Sequence, residues 1–198
     1  MKKNLWLFGD SFTDYNYKNV PAEFSEDITQ WGDIVGKQMG LNVHNFGQGG
    51  FSNQQIISEI LDKLHLIKEN DYVSIGLSTP YRVLTVRNGF IRSFLPNHYL
   101  NSKSQEGKRV FDYVQNTVYP NEKLFEEFYW SQIRGIEKVL SKMNCKTFTW
   151  DWRLWEKFES IKSQSKGKDK NNHWSKKGHQ DMAKLVIQKF TNTTNTVI

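Results

Sequence analysis

The N-terminal part of the chain alternates between short apolar runs and segments whose apolar positions repeat at helical spacing. Leu5–Phe8, Leu41–Phe46 and Asp71–Leu77 are predicted strands, and the wholly apolar first run is typical of a strand covered on both faces. Helical spacing predicts one helix over Ile28–Met39 and another after Ser52, a candidate N-cap. Strand, helix, strand, helix, strand is the order of a parallel sheet with helical crossovers.

The rest of the chain continues this pattern after an interruption. Residues from Pro80 to about Tyr119 hold apolar patches around a polar middle, and we interpret them as an irregular insertion over the carboxyl ends of the strands. Glu122–Met143 and Ser175–Phe190 are predicted amphipathic helices, and Lys146–Trp150 is a predicted strand. Two polar stretches are predicted to be a loop and a frayed tail: Ser160–Asn172 and Thr191–Ile198.

The order of the elements predicts an α/β fold, a three-layer flavodoxin-like parallel sheet with helices on both faces. The chain has 198 residues, which suits a single domain over residues 1–190 followed by the tail. Its seven Trp, eight Tyr and thirteen Phe need a core in which to be buried, which excludes a disordered chain.

Charge, cysteine content and the N-terminus narrow the function classes. The net charge of +6 is spread along the chain without a basic helix, so a nucleic-acid partner is not expected. Cys145 is the single cysteine and excludes an intrachain disulfide. The apolar run after Lys3 is too short for a signal-peptide core, and no segment approaches a membrane span. We expect a cytoplasmic protein without a membrane partner, although virion association or release by lysis would leave no trace here.

Three short motifs carry candidate chemistry. Gly9-Asp10-Ser11 directly follows the first strand, where open α/β sheets place their ligands. A glycine-rich segment, Asn45–Gly50, follows the second strand, and its N–H groups are candidate oxyanion donors. Asn172–His179 opens the last helix, with Ser175 as its predicted N-cap. Each motif alone also fits an ordinary turn or cap.

Taken together, the motifs resemble the SGNH (GDSL-like) hydrolase family over nearly the whole chain. The resemblance is best at Phe8–Phe12, Trp31–Ser52 and His173–His179. It implies a serine esterase in which Ser11 is the nucleophile and His173 the general base, while the N–H groups of Ser11 and Gly47 bind the oxyanion.

The sequence departs from the family pattern at two places. The family's asparagine after the third strand is missing from Gly76–Pro80, which leaves Ser78 or Asn53 as the third oxyanion donor. The positions that normally hold the acid are not acidic, so we weigh Asp169, a Ser–His dyad supported by a backbone carbonyl, and a distant acid such as Asp151.

Asp10, Arg82 and Trp174 are the candidate substrate-binding residues. The Thr-Pro-x-Arg segment that ends at Arg82 resembles a variant of SGNH-like proteins from phages and their hosts. The arginine would either clamp an anionic group of the substrate or pair with a structural acid. Aromatic side chains that would stack on sugar faces are Tyr15, Tyr17, Tyr81 and Trp174, and packing is the alternative for each.

The predicted function is therefore hydrolysis of a small-molecule or glycan ester, with carbohydrate O-acetyl groups as the preferred substrate. The alternative is a catalytically impaired binding module on the same fold, since an oxyanion donor is missing and the acid is displaced. The chemistry needs no cofactor, and the histidines show no metal-ligand spacing beyond the pair His173 and His179. The sequence carries no signal of oligomeric state.

Overall fold

The structure is a computed structural model that describes residues 2–14, 29–87, 90–94, 105–158 and 174–192. Its strands, in chain order, are β1 (Asn4–Phe8), β2 (Asn42–Asn45), β3 (Tyr72–Leu77), β4 (Val83–Arg87), β5 (Phe90–Phe94) and β6 (Lys146–Asp151). Its helices are α1 (Trp31–Met39), α2 (Asn53–Lys63), α3 (Gln105–Tyr113), α4 (Glu122–Lys142) and α5 (Lys176–Thr191).

Four strands form a parallel sheet in the order β2-β1-β3-β6. Strand β1 pairs with both neighbours: its Leu5 lies opposite Val43 of β2 on one side and opposite Tyr72 of β3 on the other. Strand β3 pairs in parallel with β6 along its whole length. The predicted parallel sheet is confirmed.

Strand β1 shows why its run is wholly apolar. Leu5 and Leu7 pack on one face of the sheet in a cluster with residues of α1 and α5. Trp6 and Phe8 pack on the opposite face with residues of α2 and α4. Successive strand side chains point to opposite faces, so a strand covered on both sides needs an apolar residue at every position. The structure therefore has the three layers predicted from the sequence.

The ends of the helices follow from their capping residues. Ser52 accepts from the Gln55 N–H while the Gln55 side chain accepts from the Ser52 N–H, which is a capping box for α2. Ser175 caps α5 by accepting from the Gly178 N–H at 3.2 Å. Helix α1 ends at Gly40, whose φ of 66° is left-handed. The caps at Ser52 and Ser175 and the end of the first helix at Met39 were predicted.

The interpretation of residues 80–119 as irregular is wrong for the part that the structure describes. Strands β4 and β5 form an antiparallel hairpin in which Val83 lies opposite Phe94. Helix α3 follows, and it continues into a π-helical turn at Val114–Val118. The π-helical turn buries Val114 and Val118, so this segment has regular backbone structure and its own contribution to the core.

The amino ends of β1 and β3 are tied together by the carboxylate of Asp71. Its oxygens accept from the Asn4 backbone N–H at 3.0 Å, from the Trp6 indole N–H at 2.8 Å and from the Lys68 N–H at 3.0 Å. Burial alone would raise the pKa of Asp71, but these hydrogen bonds outweigh burial and lower it. The carboxylate therefore holds two central strands in register at the end of the sheet opposite the candidate motifs.

The predicted loop Ser160–Asn172 lies outside the described residues, as do residues 193–198 of the predicted tail. Helix α5 continues one residue further than predicted, to Thr191. None of the helices that the structure describes is both long and apolar enough to cross a membrane.

Candidate active site

The turn after β1 leaves the Ser11 N–H group and hydroxyl available. The carbonyl oxygen of Asp10 accepts from the N–H groups of Thr13 and Asp14, and its Oδ1 accepts from the Phe12 N–H at 3.1 Å. The Ser11 side chain is partly exposed, and neither its N–H nor its hydroxyl is hydrogen-bonded to a described residue. The turn therefore presents a hydroxyl and an unused donor at the carboxyl end of a parallel strand.

The glycine-rich segment after β2 lies directly against this turn. A Cβ on Gly47 would be 2.6 Å from the Thr13 Cβ, so only glycine allows this close approach. The Gln48 N–H also donates to the Gly9 carbonyl oxygen at 3.1 Å. The structure thus brings the first two predicted motifs together.

The Gly47 N–H does not point freely into the site, however. It donates to the Asn45 side-chain oxygen at 2.8 Å. The predicted oxyanion donor at Gly47 is therefore already engaged within its own segment. Of the two predicted donors, the N–H of Ser11 is the one that makes no hydrogen bond to a described residue.

The two candidates for a third oxyanion donor lie beneath the turn. The Ser78 hydroxyl accepts from the Arg82 guanidinium at 3.0 Å, and Ser78 is 1% exposed. The Asn53 side-chain amide donates to the Ser78 carbonyl oxygen at 2.9 Å and is also buried. Both groups make hydrogen bonds with residues of the loop after β3.

Asp10 and Arg82 are buried neighbours. Burial raises the pKa of Asp10, and the positive charge of Arg82 and hydrogen bonds from Phe12 and Ser78 oppose that rise. Asp10 and Arg82 are 1% and 8% exposed, so neither side chain offers a surface for substrate. The arginine's charge thus acts on the Asp10 carboxyl, while its Nε donates to the Ser78 hydroxyl.

Trp174, which was predicted to bind substrate, has its ring in the core. It is 1% exposed, and its indole N–H donates to the Trp155 carbonyl oxygen at 3.1 Å. Its ring packs edge-on against Phe12, with the centroids 4.9 Å apart. Of the other predicted stacking residues, Tyr81 packs against Tyr119 and residues 15 and 17 are not described.

The predicted base His173 and the predicted acid Asp169 lie outside the described residues. Trp174 is the first described residue after that gap, and its contact with Phe12 shows that the chain re-enters beside the Ser11 turn. The distant candidate acid, Asp151 at the end of β6, makes hydrogen bonds to the backbone N–H and the guanidinium of Arg153.

His179 is a buried structural side chain, as expected from its position inside the last helix. It is 6% exposed, and its ring packs edge-on against Trp174. Burial lowers its pKa to about 4, so the imidazole is neutral at neutral pH. Its Nδ1 has no hydrogen-bond partner among the residues described.

A pocket of about 410 Å³ opens next to Gly47, at the edge of the sheet formed by β2. Its lining comes from the end of the Ser11 turn, the segment after β2 and helix α2: Asp14, Asn45, Phe46, Gly47, Gln48, Phe51 and Glu59. Two of these positions, Asp14 and Glu59, lie outside the motifs singled out from the sequence, because they belong to separate elements.

No protein-family model matches the chain, and no curated protein matches it at a significant level. Among solved structures, it is similar to a lipolytic protein of the G-D-S-L family from Veillonella parvula, with 15% identity over 96% of this chain and 99% of that one and a TM-score of 0.42. It is also similar to a carbohydrate esterase described as having divergent catalytic and non-catalytic binding functions, with 15% identity over 98% of this chain and 69% of that one and a TM-score of 0.42. An acetylxylan esterase from Geobacillus stearothermophilus shows 11% identity over 96% of each chain and a TM-score of 0.41.

These neighbours include the G-D-S-L family that the sequence motifs resemble, and none of these findings concerns the Thr-Pro-x-Arg segment. Because the TM-scores and identities are low, the likenesses do not establish an activity for this chain. The chain's own strand order and helix placement define its class, a three-layer α/β protein whose candidate site lies at the carboxyl ends of β1, β2 and β3.

Proposed function

We propose that this protein is a serine ester hydrolase with Ser11 as its nucleophile. The observation that carries the proposal is the turn after β1, in which the neighbouring N–H groups are bonded while the Ser11 hydroxyl and N–H make no hydrogen bond to a described residue. An accessible serine with a donor at its own backbone nitrogen is the arrangement that acyl transfer uses.

In the proposed mechanism, the Ser11 Oγ attacks the acyl carbon as His173 removes the hydroxyl proton. The Ser11 N–H stabilises the oxyanion, and the alcohol leaves with the proton returned by His173. Water, deprotonated by the same imidazole, then attacks the acyl-enzyme and releases the acid. The proposal is supported by the ring contact between Trp174, which follows His173 in the chain, and Phe12, which follows Ser11.

Asp169 is the proposed acid that orients the His173 imidazole, with a backbone carbonyl as the alternative. The Asp151 carboxylate is a weaker candidate because it is engaged with Arg153. The proposed substrates are O-acetyl esters of carbohydrates, which the pocket beside Gly47 has room to hold.

The test is hydrolysis of 4-nitrophenyl acetate by Ser11→Ala. We expect kcat to fall by roughly 10⁴-fold or more, because the acyl-enzyme can no longer form. Ser141→Ala removes an exposed helical serine and is the matched control, with activity like that of the parent. Full activity of Ser11→Ala would overturn the proposal.

A non-catalytic binding module is the second candidate function. It is favoured by the Gly47 N–H, which is engaged with Asn45, and by the missing asparagine after β3, where the Ser78 hydroxyl is held by Arg82. A fluorophosphonate probe separates the two candidates. Labelling that maps to Ser11 supports the hydrolase, whereas an unlabelled, folded protein supports the binding module.

A further inference from the structure

We propose that this protein self-associates through one side of helix α4, which packs antiparallel against the same side of a second copy of the chain. Four residues of the helix form this surface, the α4 stripe: Leu124, Phe128, Gly135 and Val139. The inference is independent of the proposed function, because none of these residues takes part in the proposed ester hydrolysis.

The α4 stripe is apolar and exposed. Leu124, Phe128 and Val139 are 65%, 56% and 43% exposed, and they are three of the seven large hydrophobic residues that are exposed in the described part of the chain. Successive residues of the stripe are four, seven and four positions apart, so they lie along one side of the helix. Single exposed hydrophobic residues are ordinary, whereas a row of them indicates an interaction surface.

The spacing of the α4 stripe is the same in both directions along the helix. Leu124 and Val139 are equally far from the midpoint of the stripe, and so are Phe128 and Gly135. A two-fold axis at this midpoint therefore places Phe128 against the partner subunit's Gly135, and Leu124 against the partner's Val139. Such self-complementarity is what a symmetric dimer requires of its interface.

The shapes of the two inner residues fit this arrangement. The Phe128 ring is held edge-on against the buried Tyr129, with the ring centroids 5.5 Å apart. A Cβ added at Gly135 would have no heavy atom within 4 Å outside its own helix backbone, so the space above this glycine is open. An exposed ring and a position without a side chain thus face each other twice in the symmetric pair.

The charges of α4 favour the antiparallel orientation. The N-terminal half of the helix carries three glutamates and one lysine, and the C-terminal half carries three basic residues and one glutamate. In an antiparallel pair each acidic half lies beside the basic half of the partner, whereas a parallel pair would bring like charges together.

Glu127 and Lys138 place this complementarity at the border of the α4 stripe. Both side chains are exposed, and each residue directly precedes a residue of the stripe, Phe128 or Val139. They therefore lie on the same side of the stripe, and the two-fold axis brings each Glu127 near the partner's Lys138. The antiparallel pair thus has two opposite-charge contacts beside its apolar centre.

The length of the helix sets the expected affinity. Helix α4 has 21 residues, so at a rise of 1.5 Å per residue it is about 31 Å long. A contact about 31 Å long and roughly 10 Å wide covers less than half of the about 800 Å² per partner that is common in stable complexes. We therefore expect a dissociation constant of roughly 10–100 µM.

Sedimentation velocity of the full chain between about 5 and 500 µM should show a shift from the monomer to a species of twice its mass. Gly135→Gln fills the open space and should raise the dissociation constant about tenfold or more. Because glutamine has a higher helix propensity than glycine, loss of the fold would not explain that change. Ser141→Gln adds the same side chain at another exposed position of α4 and is the matched control.

Glu127→Lys and Lys138→Glu test the antiparallel register. Each variant alone brings like charges together in both contacts, so self-association should weaken about fivefold. In a mixed dimer of the two variants both contacts again join opposite charges. An equimolar mixture should therefore associate to within about twofold of the parent protein, a rescue that a folding defect would not show.

Three results would overturn the inference. The first is a parent protein that stays monomeric over the whole concentration range. The second is Gly135→Gln associating as tightly as Ser141→Gln. The third is a mixture of Glu127→Lys and Lys138→Glu that associates no more tightly than either variant alone.

Discussion

Arg82 and Asp10 are buried next to the candidate site, where the charge of the arginine acts on the carboxyl. Replacing Arg82 with Met keeps much of the side-chain volume and removes the positive charge beside the buried Asp10 carboxyl. We expect the free energy of unfolding to fall by about 3 kcal/mol at neutral pH. Urea denaturation measures the loss, and Arg134→Met, an exposed position on α4, is the control.

The pH dependence of that loss identifies its cause. Burial raises the pKa of Asp10 in the folded protein, and loss of Arg82 would raise it further. A carboxyl group whose pKa is raised in the folded state lowers the free energy of unfolding at pH values above that pKa. In acid, where the folded and the unfolded protein are both protonated, it has no such effect. The deficit of Arg82→Met should therefore be larger at about pH 8 than at about pH 4. An equal loss of free energy of unfolding at both pH values would show that the charge of Arg82 does not affect the ionisation of Asp10.

The sequence could not reveal these contacts at the level of single residues. Arg82 was open to either a substrate or a structural role, and its choice of Asp10 depends on how the loops after β1 and β3 meet. Trp174 was expected at a binding surface because an aromatic ring can stack on a sugar face. Its burial follows from ring partners such as Phe12 and Trp150, which are remote in the chain.

Among the elements, helix α5 carries a titratable group in its buried face. His179 is neutral in the folded protein because burial lowers its pKa from 6.5 to about 4. The unfolded chain gains a proton in that range and the folded one does not, so stability should fall as the pH drops from 6.5 to 4, by about 3 kcal/mol. His179→Leu should remove most of this loss.

Thermal or urea unfolding between pH 7 and pH 4 checks the effect of His179. His65→Leu, at an exposed histidine, should keep the acid sensitivity of the parent protein. Curves for His179→Leu that run parallel to those of the parent would contradict the role given to burial.

Elements with a continuous apolar run or many apolar residues at helical spacing were predicted well. The β4–β5 hairpin and helix α3 were not. The apolar run of β1 and the helical spacing of α2 each identify an element without help from the rest of the fold. The β4–β5 hairpin was missed, although Asn88-Gly89 between two apolar patches is a hairpin signal. Helix α3 is short and largely polar, so few apolar positions were available from which to recognise it.

For the whole molecule, the carboxylate of Asp71 fixes the sheet at its amino end. Asp71→Asn keeps the shape of the side chain but replaces an acceptor oxygen with a donor that faces the N–H groups of Asn4, Trp6 and Lys68. We expect the free energy of unfolding to fall by roughly 1.5–3 kcal/mol near neutral pH. Guanidinium denaturation of the two proteins gives the difference.

Acid should narrow the gap between Asp71→Asn and the parent protein. The pKa of Asp71 is lowered in the folded state, so its contribution is complete above the unfolded value of about 3.9 and is lost as the pH falls through the folded value. A difference that stays constant down to about pH 2 would mean that the negative charge of Asp71 is not what stabilises the sheet.

The tie at Asp71 and the loops that carry Ser11, Gly47 and Ser78 are at opposite ends of the same strands. Substitutions of exposed residues in these loops therefore leave the hydrogen bonds of Asp71, which align the strands, unchanged. A partly exposed side chain in these loops, such as Ser11, can therefore be exchanged over generations of mutation without disturbing the hydrogen bonds that align the strands.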